Sequence, residues 1–115
     1  MAVSALLAAY CGEAYIAEQI ESILPQLQES DELLVSDDSP LEHTATREIV
    51  KRYADQDERI KYLIGPRGGV IKNVEFLLHQ AKNDILVLCD QDDVWLPNKL
   101  ERQYAEARRT GAHMT

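Results

Sequence analysis

The sequence predicts an α/β domain built on a doubly wound, mostly parallel sheet. Three observations predict it. Short apolar runs alternate four times with stretches whose apolar residues recur at helical spacing. The first run, Val3 to Ala9, is nearly continuous rather than alternating, as in a strand buried on both faces. Each run also ends in turn-forming or acidic residues, which fits strands that all deliver their carboxyl ends to one rim.

Val3 to Ala9 is the first such run and starts the sheet. Beyond the turn-like Cys11-Gly12-Glu13, residues Ile16, Ile20, Ile23, Leu24 and Leu27 fall on one helical face, and Pro25 is expected to bend or shorten that helix. Leu33 to Ser36 is a short strand ending at Asp37-Asp38. Thr44 is placed to cap a second helix with Ile49, Val50 and Tyr53 inward. Ile60 to Ile64 supplies a third strand, broken by Gly65-Pro66-Arg67-Gly68-Gly69. The helix that follows directs Val74, Leu77, Leu78 and Ala81 inward. Ile85 to Cys89 is the fourth strand, and Pro97 opens a last helix carrying Leu100, Tyr104 and Ala107. Repeats, low-complexity tracts and linkers are absent, so the 115 residues read as a single domain.

Composition narrows the function. A hydrophobic content of 45% can build one core, whereas a formal net charge of -8 repels a phosphate backbone and argues against nucleic acid as a partner. Two cysteines, Cys11 and Cys89, make neither a disulfide framework nor a zinc spacing, which points to a reducing compartment. The opening segment has no Lys or Arg ahead of Val3 to Ala9, is interrupted by Ser4, and sets Tyr10 directly before Cys11, so it is not read as a secretion or lipid-attachment signal. No run approaches the ~18 apolar residues of a membrane-spanning helix. A cytoplasmic domain is expected.

The chemistry concentrates at "LVLCDQDDVW", Leu86 to Trp95, where a buried strand runs into Asp90, Asp92 and Asp93. Crowded carboxylates stay ionised most easily beside a cation, and an Asp-X-Asp turn can aim two of them at one hard divalent metal. Such a metal would bind a diphosphate that the acids alone repel. The plainer reading is a solvated helix entry capped by Asp93 or Asn98, but the buried strand before it and Trp95-Leu96-Pro97 after it favour the metal. Asp37-Asp38 at the second strand's end can accept hydrogen bonds from a ribose hydroxyl or a pyrimidine imide N–H, or can form an Asx-turn or a helix cap. The first turn lacks Gly-x-Gly-x-x-Gly, which counts against an NAD-type site. His43, His79 and His113 are scattered without ligand-like spacing, Arg67 could meet a phosphate or stay solvated, and Cys89 reads as a small inert core residue.

The stretches "VSALLAAYCGEAYIAEQIESILPQ", "LLVSDDSP" and "GGVIKNVEFLLHQAKNDILVLCDQDDVWLPNKLE" together resemble the nucleotide-binding half of a family 2 inverting glycosyltransferase of GT-A fold. Bacterial rhamnosyltransferase-like members that build surface polysaccharides look most similar. The resemblance implies that Ala9, Tyr10 and Glu13 surround base and ribose, and that Asp38, with Asp37 beside it, reads a pyrimidine. It further implies that Lys72 and Asn73 border the nucleotide and that Asp90 and Asp92 are the metal-binding Asp-X-Asp, with Asp92 the direct ligand of Mg²⁺ or Mn²⁺. The implied donor is a UDP- or dTDP-linked sugar and the acceptor a saccharide or glycolipid, reached at the inner face of the membrane in a full-length protein. Three positions depart from the family pattern: Cys11 replaces the usual Asn, Ala9 the usual Thr or Ser, and Ser39-Pro40 the usual Gly-Ser. The acceptor half and catalytic base are expected beyond Thr115, so no base is assigned, transfer by these residues alone is expected to be slow or absent, and apolar surface left at that junction would favour a homodimer. Two alternatives stand beside this reading. One is a Mg²⁺-binding phosphoacceptor resembling a response-regulator receiver, and the other a non-catalytic nucleotide-binding module.

Overall fold

The computed structural model describes residues 2–89. Four parallel strands, β1 (Val3–Ala9), β2 (Glu32–Asp37), β3 (Ile60–Ile64) and β4 (Ile85–Cys89), form one sheet in the order β3-β2-β1-β4. Ala9 pairs with Asp37 and Asp37 with Ile64, while Leu7 pairs with Cys89. All four carboxyl ends therefore arrive at the same edge. The chain moves outward from β1 to β3, then returns past β1 to add β4 on its other side, which puts the topological switch between β1 and β4.

The pleat divides the core. Val3, Ala5, Leu7 and Ala9 face one side with Leu33 and Val35, where α1 (Ile16–Ile23) supplies Ile16, Ile20 and Ile23 and α2 (Ala45–Gln56) supplies Val50. Each isoleucine of α1 is fully buried, and such burial stabilises by roughly 1.5–3 kcal/mol per side chain. Leu6 and Leu34 face the opposite side, covered by Leu77 of α3 (Val70–Gln80). Helices on both faces of a parallel sheet make the doubly wound arrangement that the alternating pattern predicts.

The sequence placed every described element correctly, with differences at the ends. Pro25 shortens the first helix as expected: α1 stops at Ile23 and the chain tightens into a 3₁₀ turn over Leu24–Gln26, because Pro25 has no N–H to continue the ladder. Leu27 stays buried from an extended backbone instead of a helical one. Thr44 does occupy the N-cap of α2, but its hydroxyl makes no capping hydrogen bond. One inward residue needs correction. Leu78 is 43% exposed, and α3 turns Asn73 and Leu77 into the protein. The buried i, i+4 pair begins at a polar residue, which apolar periodicity does not register. The last expected helix, with Pro97, Leu100, Tyr104 and Ala107, lies outside the described residues.

The amino-terminal edge of the sheet is locked by two buried acids. Asp31 accepts the Val3 N–H at 2.8 Å and the Gln28 N–H at 2.7 Å. Glu32 accepts the Ser4 hydroxyl at 2.6 Å and the Lys82 N–H at 2.8 Å, with the Lys61 ammonium 3.7 Å from its second oxygen. Together they tie β1, β2, β3 and the approach to β4.

Candidate functional site

At the opposite edge the strands open onto a cleft of about 840 Å³, within the ~300–1,000 Å³ range usual for small-ligand sites. Each strand end contributes to it. Ala9 and Tyr10 come from β1, Asp38, Pro40 and Leu41 follow β2, Arg67, Gly69 and Val70 follow β3, and Leu88 and Cys89 end β4. The walls combine apolar surface with few polar groups. Tyr10 is 56% exposed, Leu41 58% and Val70 69%, so several of these apolar side chains face open space.

Two acids, Asp38 and Glu42, line this cleft, and the position of Asp38 is fixed from several directions. Its N–H donates to the Ala9 carbonyl at 2.8 Å, and the Arg67 N–H donates to Oδ1 at 2.6 Å. Arg67 reaches it from a left-handed backbone at φ 62°, a conformation costing roughly 1–2 kcal/mol in a residue with a Cβ. Gly65 makes room: a Cβ there would lie 2.6 Å from Asp38 Oδ1 and 3.2 Å from the Asp37 carbonyl. Asn73, only 2% exposed, reaches the cleft from α3 while clamping that helix to β2. Its Nδ2 donates to the Ser36 carbonyl at 3.1 Å, and the Ser36 hydroxyl donates back to Oδ1 at 2.5 Å.

The residues implied by the family resemblance thus separate into groups. Ala9, Tyr10, Asp38 and Asn73 meet at the cleft, whereas Glu13, Asp37 and Lys72 are not part of its lining. Asp37 is 3% exposed and saturated: Oδ1 accepts the Ser39 N–H at 3.0 Å and hydroxyl at 2.5 Å, and Oδ2 accepts the Tyr62 hydroxyl at 2.7 Å. Of the readings open for the acidic pair, the Asx-turn is realised at Asp37. Burial first, and the bond to Asp37 second, hold the Tyr62 phenol well above its ordinary range, so it stays a donor at neutral pH. Lys72 is exposed in the first turn of α3, its stem lying over Gly68. Asp90 and Asp92 lie outside the described residues.

Glu13 is occupied by His43. The imidazole Nε2 lies 2.8 and 3.0 Å from the two carboxylate oxygens, with both side chains about one third exposed. This hydrogen bond lowers the Glu13 pKa and raises that of His43. Beside it the Gly12 N–H donates to the Thr46 hydroxyl at 2.9 Å, so the loop after β1 is sewn to the start of α2. Treating the histidines as scattered missed this contact, because a pair thirty positions apart has no signature in spacing. Pro40, Leu41 and Val70 were also missed as cleft residues; they look like ordinary loop and helix-entry positions until the fold brings them together.

The fold and cleft define a doubly wound α/β domain that presents a ligand-sized site at the carboxyl ends of its strands. The family model for glycosyl transferase family 2 matches residues 4–115. The chain belongs to that family. It is 33% identical over 105 residues to EpsE of Bacillus subtilis (strain 168), provisionally named a glycosyltransferase, covering 90% of this chain and 37% of EpsE. It is 31% identical over 103 residues to TuaG of the same organism, provisionally named a teichuronic acid biosynthesis glycosyltransferase, with 88% and 40% covered. An uncharacterized glycosyltransferase of Rickettsia felis (strain ATCC VR-1525 / URRWXCal2) is 29% identical over 101 residues, with 88% and 16% covered. The chain therefore spans between about a sixth and two fifths of these relatives. Family membership sets aside the receiver-like alternative. Among the described residues no helix is long and apolar enough to cross a membrane.

Proposed function

We propose that the chain is the donor-binding part of an inverting glycosyltransferase, taking a UDP- or dTDP-linked sugar whose transfer is directed to a saccharide or glycolipid acceptor. One observation carries this reading: the Asp38 carboxylate borders a ligand-sized cleft at the sheet's carboxyl edge in a chain of this family. Asp38 offers acceptors only, which suits the imide N–H of uracil or thymine and disfavours the unprotonated N3 of cytosine. Tyr10, Leu41 and Val70 offer the apolar surface that a base ring needs, and Tyr10 can stack on it.

A divalent cation suits the acids that follow β4. The last residues of that strand, Leu88 and Cys89, line the cleft, so Asp90 follows directly in sequence from its wall. Asp92 and Asp90 would hold Mg²⁺ or Mn²⁺, hard cations that favour carboxylate oxygen. When bound, the cation would stabilise negative charge on the departing diphosphate. The described residues orient the nucleotide and leave deprotonation of the acceptor to a base elsewhere in the full-length protein. Provisional assignment of TuaG to teichuronic acid biosynthesis supports a polysaccharide setting, and the acceptor side would then work at the inner face of the membrane.

Calorimetric titration of UDP and dTDP, with Mn²⁺ and then with chelator, tests the proposal. Binding that needs the cation and disappears in Asp92→Ala supports it. Equal binding with chelator present, or in the variant, removes the cation from the account.

A further inference from the structure

Two adjacent acids end β2, and only the second borders the cleft. The first is buried, yet among the described residues it meets more donors than any other carboxylate at this edge: the Ser39 N–H and hydroxyl and the Tyr62 hydroxyl. The bond from Asp37 Oδ1 to the N–H two residues later closes an Asx-turn whose middle residue is Asp38. Closing that turn fixes the backbone on which the Asp38 carboxylate is mounted. Ser39 passes the constraint onward, since its Oγ accepts the Cys11 N–H at 2.8 Å and so ties the turn to the loop after β1. Tyr62 of β3 anchors the second Asp37 oxygen, which stops the carboxylate from rotating out of the turn.

We propose that Asp37 is a positioning residue, held by Tyr62, that aims Asp38 at the base and makes no contact with the nucleotide itself. The inference rests on the reading of Asp38 as the acceptor for a pyrimidine imide. It differs from a general structural role because it concerns the direction of one carboxylate. Loosening the turn should therefore weaken discrimination between an imide N–H donor and a ring-nitrogen acceptor more than it weakens nucleotide binding at large.

The test is the ratio of UDP to CDP affinity, measured by calorimetry with Mn²⁺ on the 115-residue chain. Tyr62→Phe removes one hydroxyl outside the cleft and should lower the ratio about 2- to 10-fold, the worth of one hydrogen bond. Asp37→Ala should lower it further, and Asp37→Asn, which keeps an acceptor for the Ser39 N–H, should recover most of the difference. In an Asp38→Asn background the ratio should already be near one, and adding Tyr62→Phe should leave it unchanged. Thermal melting identifies any variant that has lost its fold, and Tyr62→Phe carries the test if Asp37→Ala is among them. A wild-type ratio in Tyr62→Phe would overturn the proposal. So would a ratio that collapses in Asp37→Asn but survives in Asp38→Asn, since Asp37 would then be the reader. A wild type that binds UDP and CDP equally would instead remove the base-reading role of Asp38 on which the inference stands.

Discussion

A pair of adjacent acids straddles each end of strand β2, and the two pairs do different things. At its start, Asp31 and Glu32 are 2% and 1% exposed, and backbone N–H groups, a serine hydroxyl and a lysine satisfy them. At its end, Asp37 is saturated in the same manner, but Asp38 keeps a carboxylate on the cleft. Burial of a charge is tolerable only with such satisfaction, so a filled donor set marks an acid that stabilises the fold. An acid held by few donors beside a cavity is the one free to take a ligand. Counting donors, rather than acids, separates the three acids that lock the fold from Asp38, the proposed reader.

The largest effect that could break this contrast is at the amino-terminal edge. Glu32→Ala would leave the buried Ser4 hydroxyl and the Lys82 N–H without their acceptor, and the expected loss in chemical unfolding is about 3 kcal/mol. Nucleotide affinity of the folded protein should not change. Asn73→Ala comes next, because it strips both hydrogen bonds from Ser36 and should cost roughly 2 kcal/mol in the same assay. Here affinity should fall as well, since Asn73 belongs to the cleft. Gly65→Ala sharpens the comparison from the other side. Its Cβ would crowd Asp38 Oδ1, so the expectation is a roughly tenfold weaker UDP affinity with a smaller change in melting temperature.

The smallest effect is electrostatic. His43 titrates above its ordinary value of 6.5 and Glu13 below its ordinary 4.5, each held by the hydrogen bond between them. A raised histidine contributes its stability fully below 6.5 and loses it as pH rises through the folded value. A lowered carboxylate contributes above 4.5 and loses it as pH falls. The pair should therefore stabilise most between these limits. The melting-temperature gap between wild type and His43→Gln should be widest there and narrow toward alkaline pH, and a gap that does not vary with pH would remove the pair from the account.

Much of this was legible in the residues. Short apolar runs marked the strands, nearly continuous in β1 because it is buried on both faces and broken by Lys61 in β3 at the sheet edge. Strand direction then placed Ala9 and Asp38 at one edge, and the family resemblance added Asn73. Side-chain partnership was not legible. The residue types alone do not say which of Asp37 and Asp38 closes the turn with Ser39, and Tyr62, which holds the other Asp37 oxygen, comes from a neighbouring strand. Asp31-Glu32 drew no attention for a similar reason: acids at a strand entrance look solvated until Val3, Ser4 and Lys82 are brought to them. The inward turn of Asn73 was hidden by its polarity, which only the reciprocal bonds to Ser36 make tolerable.

The most direct test of the central claim compares the two ends of β2 in one titration. UDP is added with Mn²⁺ to wild type, Asp38→Asn and Asp31→Asn, with melting temperature recorded for each. The account predicts that Asp38→Asn loses about tenfold or more in affinity at little cost in stability, while Asp31→Asn melts earlier and binds UDP as wild type does. Wild-type affinity in Asp38→Asn would contradict it, because the Asp38 carboxylate would then read nothing.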